Sequence, residues 1–313
     1  MFDNYVEAYI SNLKSNMSSP NTVESYSRTL RWFGNFLRER GYKEPSVEAV
    51  TEFKNELFER GLKITTLNLY MTHIRSFFQW AVECRFYEYN PCVKAIMPNA
   101  KRLAREKDRA YENILDEEEI KRILGQEEAP PRINRKTWPR DRAILAVFLT
   151  TGMRNTELCS LKLSDIDFIN KVIRVRHGKG DKERFCGLSE LAHKRIREYL
   201  QSGIRPKDIG ANAPLFGIPS SSKDSSFHAF ERIGMTRLVS SCVHAITGRD
   251  GIRSHALRHA CASIMYDKGI PKDSIQELLG HSSSATTERY IERLHPTTSA
   301  ENANKVFGEL FAS

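Results

Sequence analysis

A chain of 313 residues, 40% of them apolar, is long enough for two domains that each bury a core of their own. Its formal net charge of +9 points to a polyanionic partner. There is no apolar run of about 18 residues, and the N-terminus MFDNYVEAYISNL carries acids early and lacks an apolar signal core, so a membrane span and a secretory leader are both disfavoured. Six dispersed cysteines (Cys84, Cys92, Cys159, Cys186, Cys242 and Cys261), with no CxxC pair, read as free thiols in a reducing cytoplasm.

Residues 1 to about 93 read as helices only. Val6, Tyr9, Ile10 and Leu13 mark the first. Tyr26, Leu30, Phe33 and Leu37 stripe a second, which opens at Ser19-Pro20 and stops at Gly41. Val50, Phe53 and Leu57 give a third that ends at Gly61. Leu67, Tyr70, Ile74, Phe77 and Ala81 give a fourth, capped by Thr65/Thr66 and closed before Asn90-Pro91. The outward faces are expected to carry Arg28, Arg31, Lys63, His73 and Arg75, placed to meet DNA phosphates. A connector follows, broken by Pro91 and Pro98. Its basic residues Lys101, Arg102 and Arg105 suit a segment that tracks a phosphate backbone.

The second domain is predicted to begin with a helix at Asp116, where Asp116 and Glu119 form a capping box ahead of Ile120, Ile123 and Leu124. Residues 125–142 are polar and punctuated by proline, and are expected to be a surface loop. An apolar helix over Ile144 to Leu149 comes next, then another opening near Arg154. VIRVR and ERFCGLS read as two short strands joined at HGKGDK. From Ser189 onward the pattern is helical, apart from a Ser/Pro/Gly loop over 203–226.

Six polar residues spread over the second domain suggest one chemistry. Arg154 stands in TTGMRNTEL, Lys179 in HGKGDKER, His255 and Arg258 in SHALRHA, His281 in LLGHSS, and Tyr290 in ERYIERL. An arginine fork holds two phosphate oxygens, and two forks can balance the charge of a pentavalent phosphorus. Arg154 enters a helix whose N-terminus also favours an anion. Lys179, flanked by glycines, is placed to give a proton to a departing oxygen. The Tyr290 phenol, with an ordinary pKa of roughly 10, needs cationic neighbours and a histidine acceptor before it can attack phosphorus. Lys182 and Arg184 are expected only to contact the DNA backbone, and His259 to support its neighbours. Zinc held by His255, His259 and His281 would need carboxylate or thiolate ligands that the spacing does not supply, so no metal is expected. Singly, each arginine reads as a surface salt bridge and Tyr290 as a core aromatic. Together they read as an enzyme that cuts and rejoins DNA.

With these motifs in place the chain resembles the tyrosine recombinases (phage integrases and the Xer- and Cre-type enzymes) from TTGMRNTELCSLKLSDID through HGKGDKER and SHALRHACAS to LLGHSSSATTERYI, and NTVESYSRTLRWFGNFL is similar to the family's core-binding domain. The resemblance implies a mainly α fold with a small β-sheet: a four-helix, SAM-like core-binding domain over 1–100, a basic linker over 101–112, an α+β catalytic domain over 113–298 and a tail helix over 299–313 that packs on a neighbouring protomer, docking on its own domain being the alternative. It implies that Arg154 and Arg258 bind the scissile phosphate, that Lys179, His255 and His281 handle protons, that Tyr290 is the nucleophile, and that Glu157 braces the site. It further implies a 3′-phosphotyrosyl intermediate, a Holliday junction, no cofactor, and double-stranded DNA with specific core sites as the partner. The free chain would be a monomer, the DNA-bound form a homotetramer, and an excisionase the accessory protein. No arm-binding domain is expected ahead of residue 1. A DNA-relaxing topoisomerase and a catalytically idle DNA-binding regulator on the same scaffold are the competing readings.

Overall fold

The structure, a computed structural model, describes residues 2–93, 115–176, 183–219 and 227–280. The chain divides into two compact units, Met1–Glu112 and Asn113–Ser313.

The first unit holds four helices, α1 (Phe2–Ser15), α2 (Pro20–Glu39), α3 (Val47–Glu59) and α4 (Ile64–Glu83). Ser19 caps α2 by accepting the Thr22 amide at 3.2 Å, and Pro20 takes the first helical position, where its missing N–H costs nothing. Ser46 caps α3 in the same way through the Ala49 amide at 3.1 Å. The expected stripes turn inward: Leu30, Phe33, Phe53, Leu57, Ile74 and Phe77 are all fully buried. Each such ring or branched chain contributes about 1.5–3 kcal/mol by leaving water. Phe33 sits at the centre of the aromatic core, edge-on to Phe2 and Phe53 with ring centres 5.7 and 5.1 Å away.

Some details depart from expectation. Lys63, not Thr65 or Thr66, occupies the α4 N-cap, and it makes no side-chain capping bond. The helix closes at Glu83, before Asn90-Pro91 as expected. His73 is no surface residue. Its Nδ1 meets the Thr29 hydroxyl at 2.9 Å, and its ring stacks against Tyr26 with centres 4.0 Å apart. Burial first, and then the Arg28 charge, lower its pKa, so the ring sits neutral in the core. Arg75 is half-buried and donates to the Cys92 carbonyl at 3.4 Å, while Asn90 donates back to the Arg75 carbonyl at 3.1 Å; the pair closes the loop after α4. Arg28, Arg31 and Lys63 are exposed. With Lys14, Arg28 and Arg31 line a groove of about 840 Å³ between α1 and α2.

The second unit is built around α6 (Trp138–Thr151). It follows α5 (Glu117–Gly125) and precedes α7 (Asn155–Ser160). The expected capping box on α5 is present: the Glu119 amide donates to Asp116 at 2.8 Å and the Asp116 amide to Glu119 at 3.0 Å. Helix α6 is buried on nearly every side, its run Ala143–Leu149 being apolar all round. It packs against α5, α8 (Glu190–Gln201), α9 (Arg232–Thr247) and α10 (Ser254–Asp267). The final described helix is α11 (Lys272–Leu279). Residues 138–142, expected in a loop, form the first turn of α6, with Pro139 tolerated there for the same reason as Pro20. Arg140 is buried against Asp141 at 2.8 Å, donates to the Gly217 carbonyl at 3.0 Å and lies over the Phe230 ring at 4.8 Å. The preceding loop is held down as well: Glu127 accepts from Arg195 at 2.5 and 2.7 Å, and its carbonyl accepts the Trp138 indole N–H at 2.9 Å.

Two small sheets flank the helices. The two expected strands, β2 (Val172–Val175) and β3 (Arg184–Gly187), pair antiparallel with Val175 opposite Arg184, and a third short strand, β1 (Ile166–Asp167), joins β2. The loop read over 203–226 contains another strand, β4 (Gly217–Pro219), paired with β5 (Phe227–Ala229). Arg205 pins the rest of it by donating to the carbonyls of Gly210 at 2.6 Å and Pro214 at 2.9 Å. The architecture is therefore mainly α with two small sheets, one more than expected.

Candidate active site

The site begins at a turn. Gly152 ends α6 in the left-handed region at φ 60°, and a Cβ there would collide with Leu279. The chain then enters α7 with Arg154 at the N-cap. The anion at this helix start is internal: the Glu157 carboxylate accepts the Arg154 amide at 2.7 Å and the Arg154 guanidinium at 2.7 Å. The expectation that the α7 N-terminus itself offers an anion site is thereby corrected, because Glu157 already fills it.

Glu157 is buried, and its second partner comes from β3. Arg184 grips it with both prongs, at 2.8 and 2.7 Å. Burial alone would raise the Glu157 pKa. The bonds from Arg184 and Arg154 outweigh it and bring the carboxyl down to about 2. Arg184 is thus turned inward, contrary to the expected DNA-backbone contact, because a buried carboxylate 27 residues earlier needs a fork-shaped partner.

Helix α10 supplies the next pair. Arg258 is one of the largest fully buried side chains. It donates to the Gly152 carbonyl at 2.6 Å and to the Leu279 carbonyl at 2.6 Å. Leu257 and Cys261 occupy the core, and burial pushes the Cys261 thiol up to about 12. His255 lies one turn earlier and retains exposed surface. Its ring meets His259 edge-on with centres 4.4 Å apart.

These arginines converge on the end of α11. Its last carbonyls have no partner within the helix, and three consecutive ones are each taken by a guanidinium: Leu278 by Arg184 at 3.1 Å, Leu279 by Arg258 at 2.6 Å, and Gly280 by Arg154 at 2.7 Å. Gly280 itself is left-handed, at φ 63°, and a Cβ there would press on the Arg184 side chain, with Cδ, Nε and Cζ at 3.1–3.3 Å. The residue after this clamp is His281. It lies outside the described residues, as do Lys179, Lys182, Tyr290, Lys101, Arg102, Arg105 and the tail over 299–313.

The electrostatics of the pocket favour a neutral histidine. Loss of solvation, and then the charges of Arg258 and Arg154, lower the pKa of His255. Folding therefore favours the uncharged ring, and the stability this contributes is lost as pH falls through the ordinary histidine range. In an NMR titration of the free protein, His255 is expected to titrate below the ordinary value of about 6.5. Arg154→Ala should move that midpoint upward by removing one cation, and an unmoved midpoint would contradict the proximity.

Comparison with known proteins bears on this geometry. Residues 113–295 match the phage integrase family, and residues 6–84 match the phage integrase N-terminal SAM-like domain. The chain belongs to the phage integrase family. Within it, the relatives are tyrosine recombinases of the Xer type. The XerD recombinase of Rhizobium meliloti (strain 1021) is 30% identical over 93% of this chain and 92% of its own. The XerC recombinase of Bacillus subtilis (strain 168) is 26% identical over 92% of this chain and 91% of its own. The fold agrees with a lambda integrase dimer bound to a COC′ core site (TM-score 0.68, 17% identity, 92% of this chain and 94% of that one) and with the XerH recombinase bound to a palindromic difH substrate (TM-score 0.67, 20% identity, 94% and 83%). The chain is a tyrosine recombinase, an enzyme of site-specific recombination.

Among the described residues, the structure brings Arg154, Glu157, His255, Arg258 and His259 into one neighbourhood around the α6–α7 turn and the end of α11. The residue that sequence reasoning undervalued is Arg184. Its signal was available in part: an arginine opening a strand, beside a motif already singled out. Its inward aim was not.

Proposed function

We propose that the chain recombines double-stranded DNA at specific core sites through a covalent bond to Tyr290. The observation that carries this reading is the convergence of Arg154, Arg258 and a neutral-leaning His255 where the chain departs toward His281 and Tyr290. In the proposed reaction the Tyr290 oxygen attacks a backbone phosphorus, a Tyr–O–P bond forms and the bond to the 5′ oxygen breaks. The phenolic proton passes to an imidazole, His255 or His281. Lys179 gives a proton to the departing 5′ oxygen. Arg154 and Arg258 balance the charge gathering on the non-bridging oxygens, as preorganised guanidinium groups do in phosphoryl transfer generally.

A 5′ hydroxyl from a partner duplex then attacks the 3′-phosphotyrosyl bond and releases Tyr290. Bond energy is conserved in the intermediate, so neither ATP nor a metal enters the balance. Two such exchanges pass through a Holliday junction, within a homotetramer. We assign the helical region over 1–100 to clamping DNA, with Arg28, Arg31 and Lys63 on its exposed faces, the segment over 101–112 to a basic linker, and 113–298 to catalysis. Integration and excision of a mobile element, with an excisionase as accessory, and resolution of DNA multimers are the roles this chemistry serves.

Target duplexes can be obtained by selecting, from a random-sequence pool, those that the full chain binds. A supercoiled plasmid bearing two such sites should yield recombinant products, and one bearing none should remain unchanged. Relaxation of both plasmids without exchange would instead establish the topoisomerase reading.

A further inference from the structure

The two forks on Glu157 differ in what else they hold. Arg154 is the phosphate-seeking one and keeps 24% of its side chain exposed, whereas Arg184 keeps 12%. Arg184 spends its Nη1 and Nη2 on both Glu157 oxygens and its Nε on the Leu278 carbonyl. It touches the α7 turn, the α11 terminus and, through the close approach of Gly280, the residue preceding His281. Like Arg258, which joins the Gly152 and Leu279 carbonyls, it ties the turn that carries Arg154 to the helix end from which the segment bearing His281 and Tyr290 departs, and it alone of the two also holds Glu157.

We propose that Arg184 is a positioning residue for recombination: it fixes the Glu157 carboxylate that orients Arg154, and it anchors the carbonyl end of α11 from which the nucleophile-bearing segment departs. This rests on the reading of Arg154 as a phosphate ligand. The physical reason is geometric. With Arg184 absent, Glu157 can rotate toward Arg154 alone, and the Leu278 carbonyl keeps only the weak Cys186 thiol donor at 3.9 Å. Either change would misplace a reacting group without removing it.

The test compares single-turnover adduct formation with duplex affinity in the full chain, on a nicked form of the selected duplex. Arg184→Ala is expected to slow adduct formation about tenfold to a hundredfold, the scale of a misplacement near 1 Å. Its affinity for the duplex should stay within about threefold of wild type and its final adduct yield should be undiminished, because only the transition state is disturbed. Arg184→Lys keeps the charge but loses the fork, and should be slowed by an intermediate factor. Combining Arg184→Ala with Glu157→Gln should slow adduct formation by less than the product of the two single effects, since the two substitutions share the carboxylate route and only Arg184→Ala also releases α11.

A wild-type rate in Arg184→Ala, a rate loss matched by equal losses of affinity and yield, or multiplicative effects in the double variant would each overturn the proposal. If Arg184→Ala does not fold, Arg184→Lys decides: slowed with intact affinity and yield it supports the proposal, and at wild-type rate it overturns it. Arg154→Ala is the separate control for the active-site reading, which fails if that variant cleaves normally whatever Arg184 does.

Discussion

Tyr290→Phe is expected to bind the selected duplex as tightly as the wild-type chain and to form no covalent adduct with it. The substitution removes one oxygen and leaves the ring, so packing and charge are kept while the atom that would bond to phosphorus is gone. Loss of a catalytic nucleophile in a well-measured hydrolase costs on the order of 10⁶-fold in rate, which here means no detectable product. The measurement is a denaturing gel of protein incubated with an end-labelled, nicked duplex, where a covalent complex migrates with the protein. An adduct that persists would assign the nucleophile elsewhere. Tyr266 near the end of α10, with Lys272 5.8 Å from its ring centre, is the next tyrosine to test.

The second large effect belongs to Arg258, and it should have two components. Arg258→Ala is expected to slow cleavage about 10³-fold or more, the scale on which an arginine stabilises a phosphoryl transition state. It should also destabilise the protein, because the carbonyls of Gly152 and Leu279 would both lose the donor that now reaches them at 2.6 Å. Each buried acceptor left without a partner costs about 1–3 kcal/mol, and the vacated space adds to that. Arg154→Ala should match the loss in cleavage with a smaller loss of stability, since that side chain is partly exposed. Thermal unfolding beside single-turnover cleavage separates the two components. Equal melting temperatures for the two variants would show that the burial of Arg258 contributes little.

Helices with one apolar face were readable because their periodicity is local. Leu30, Phe33 and Leu37 recur at helical spacing, and all three are buried. Ser19-Pro20 and Asp116/Glu119 announced their helix starts through bonds that span three residues. His73 escaped the reading because its partner, Thr29, lies 44 residues away. The first turn of α6 escaped it because Arg140 and Asp141 look like surface charges until each is seen paired with the other. Strands β1, β4 and β5 escaped it for another reason: two or three residues are too few to show alternation.

What the sequence determined by itself was the family, most of the helices, and the set of residue types able to cage a phosphate, since motif spacing and amphipathic period are written along the chain. Only the tertiary structure decided which arginines face outward and which turn in. Glu157 is buried, and a buried carboxylate must draw cations from wherever the fold brings them. Here they come from the helix it begins and from a strand 27 residues on. The carbonyl end of α11 needed donors for the same reason, and it found three guanidinium groups from three separate elements.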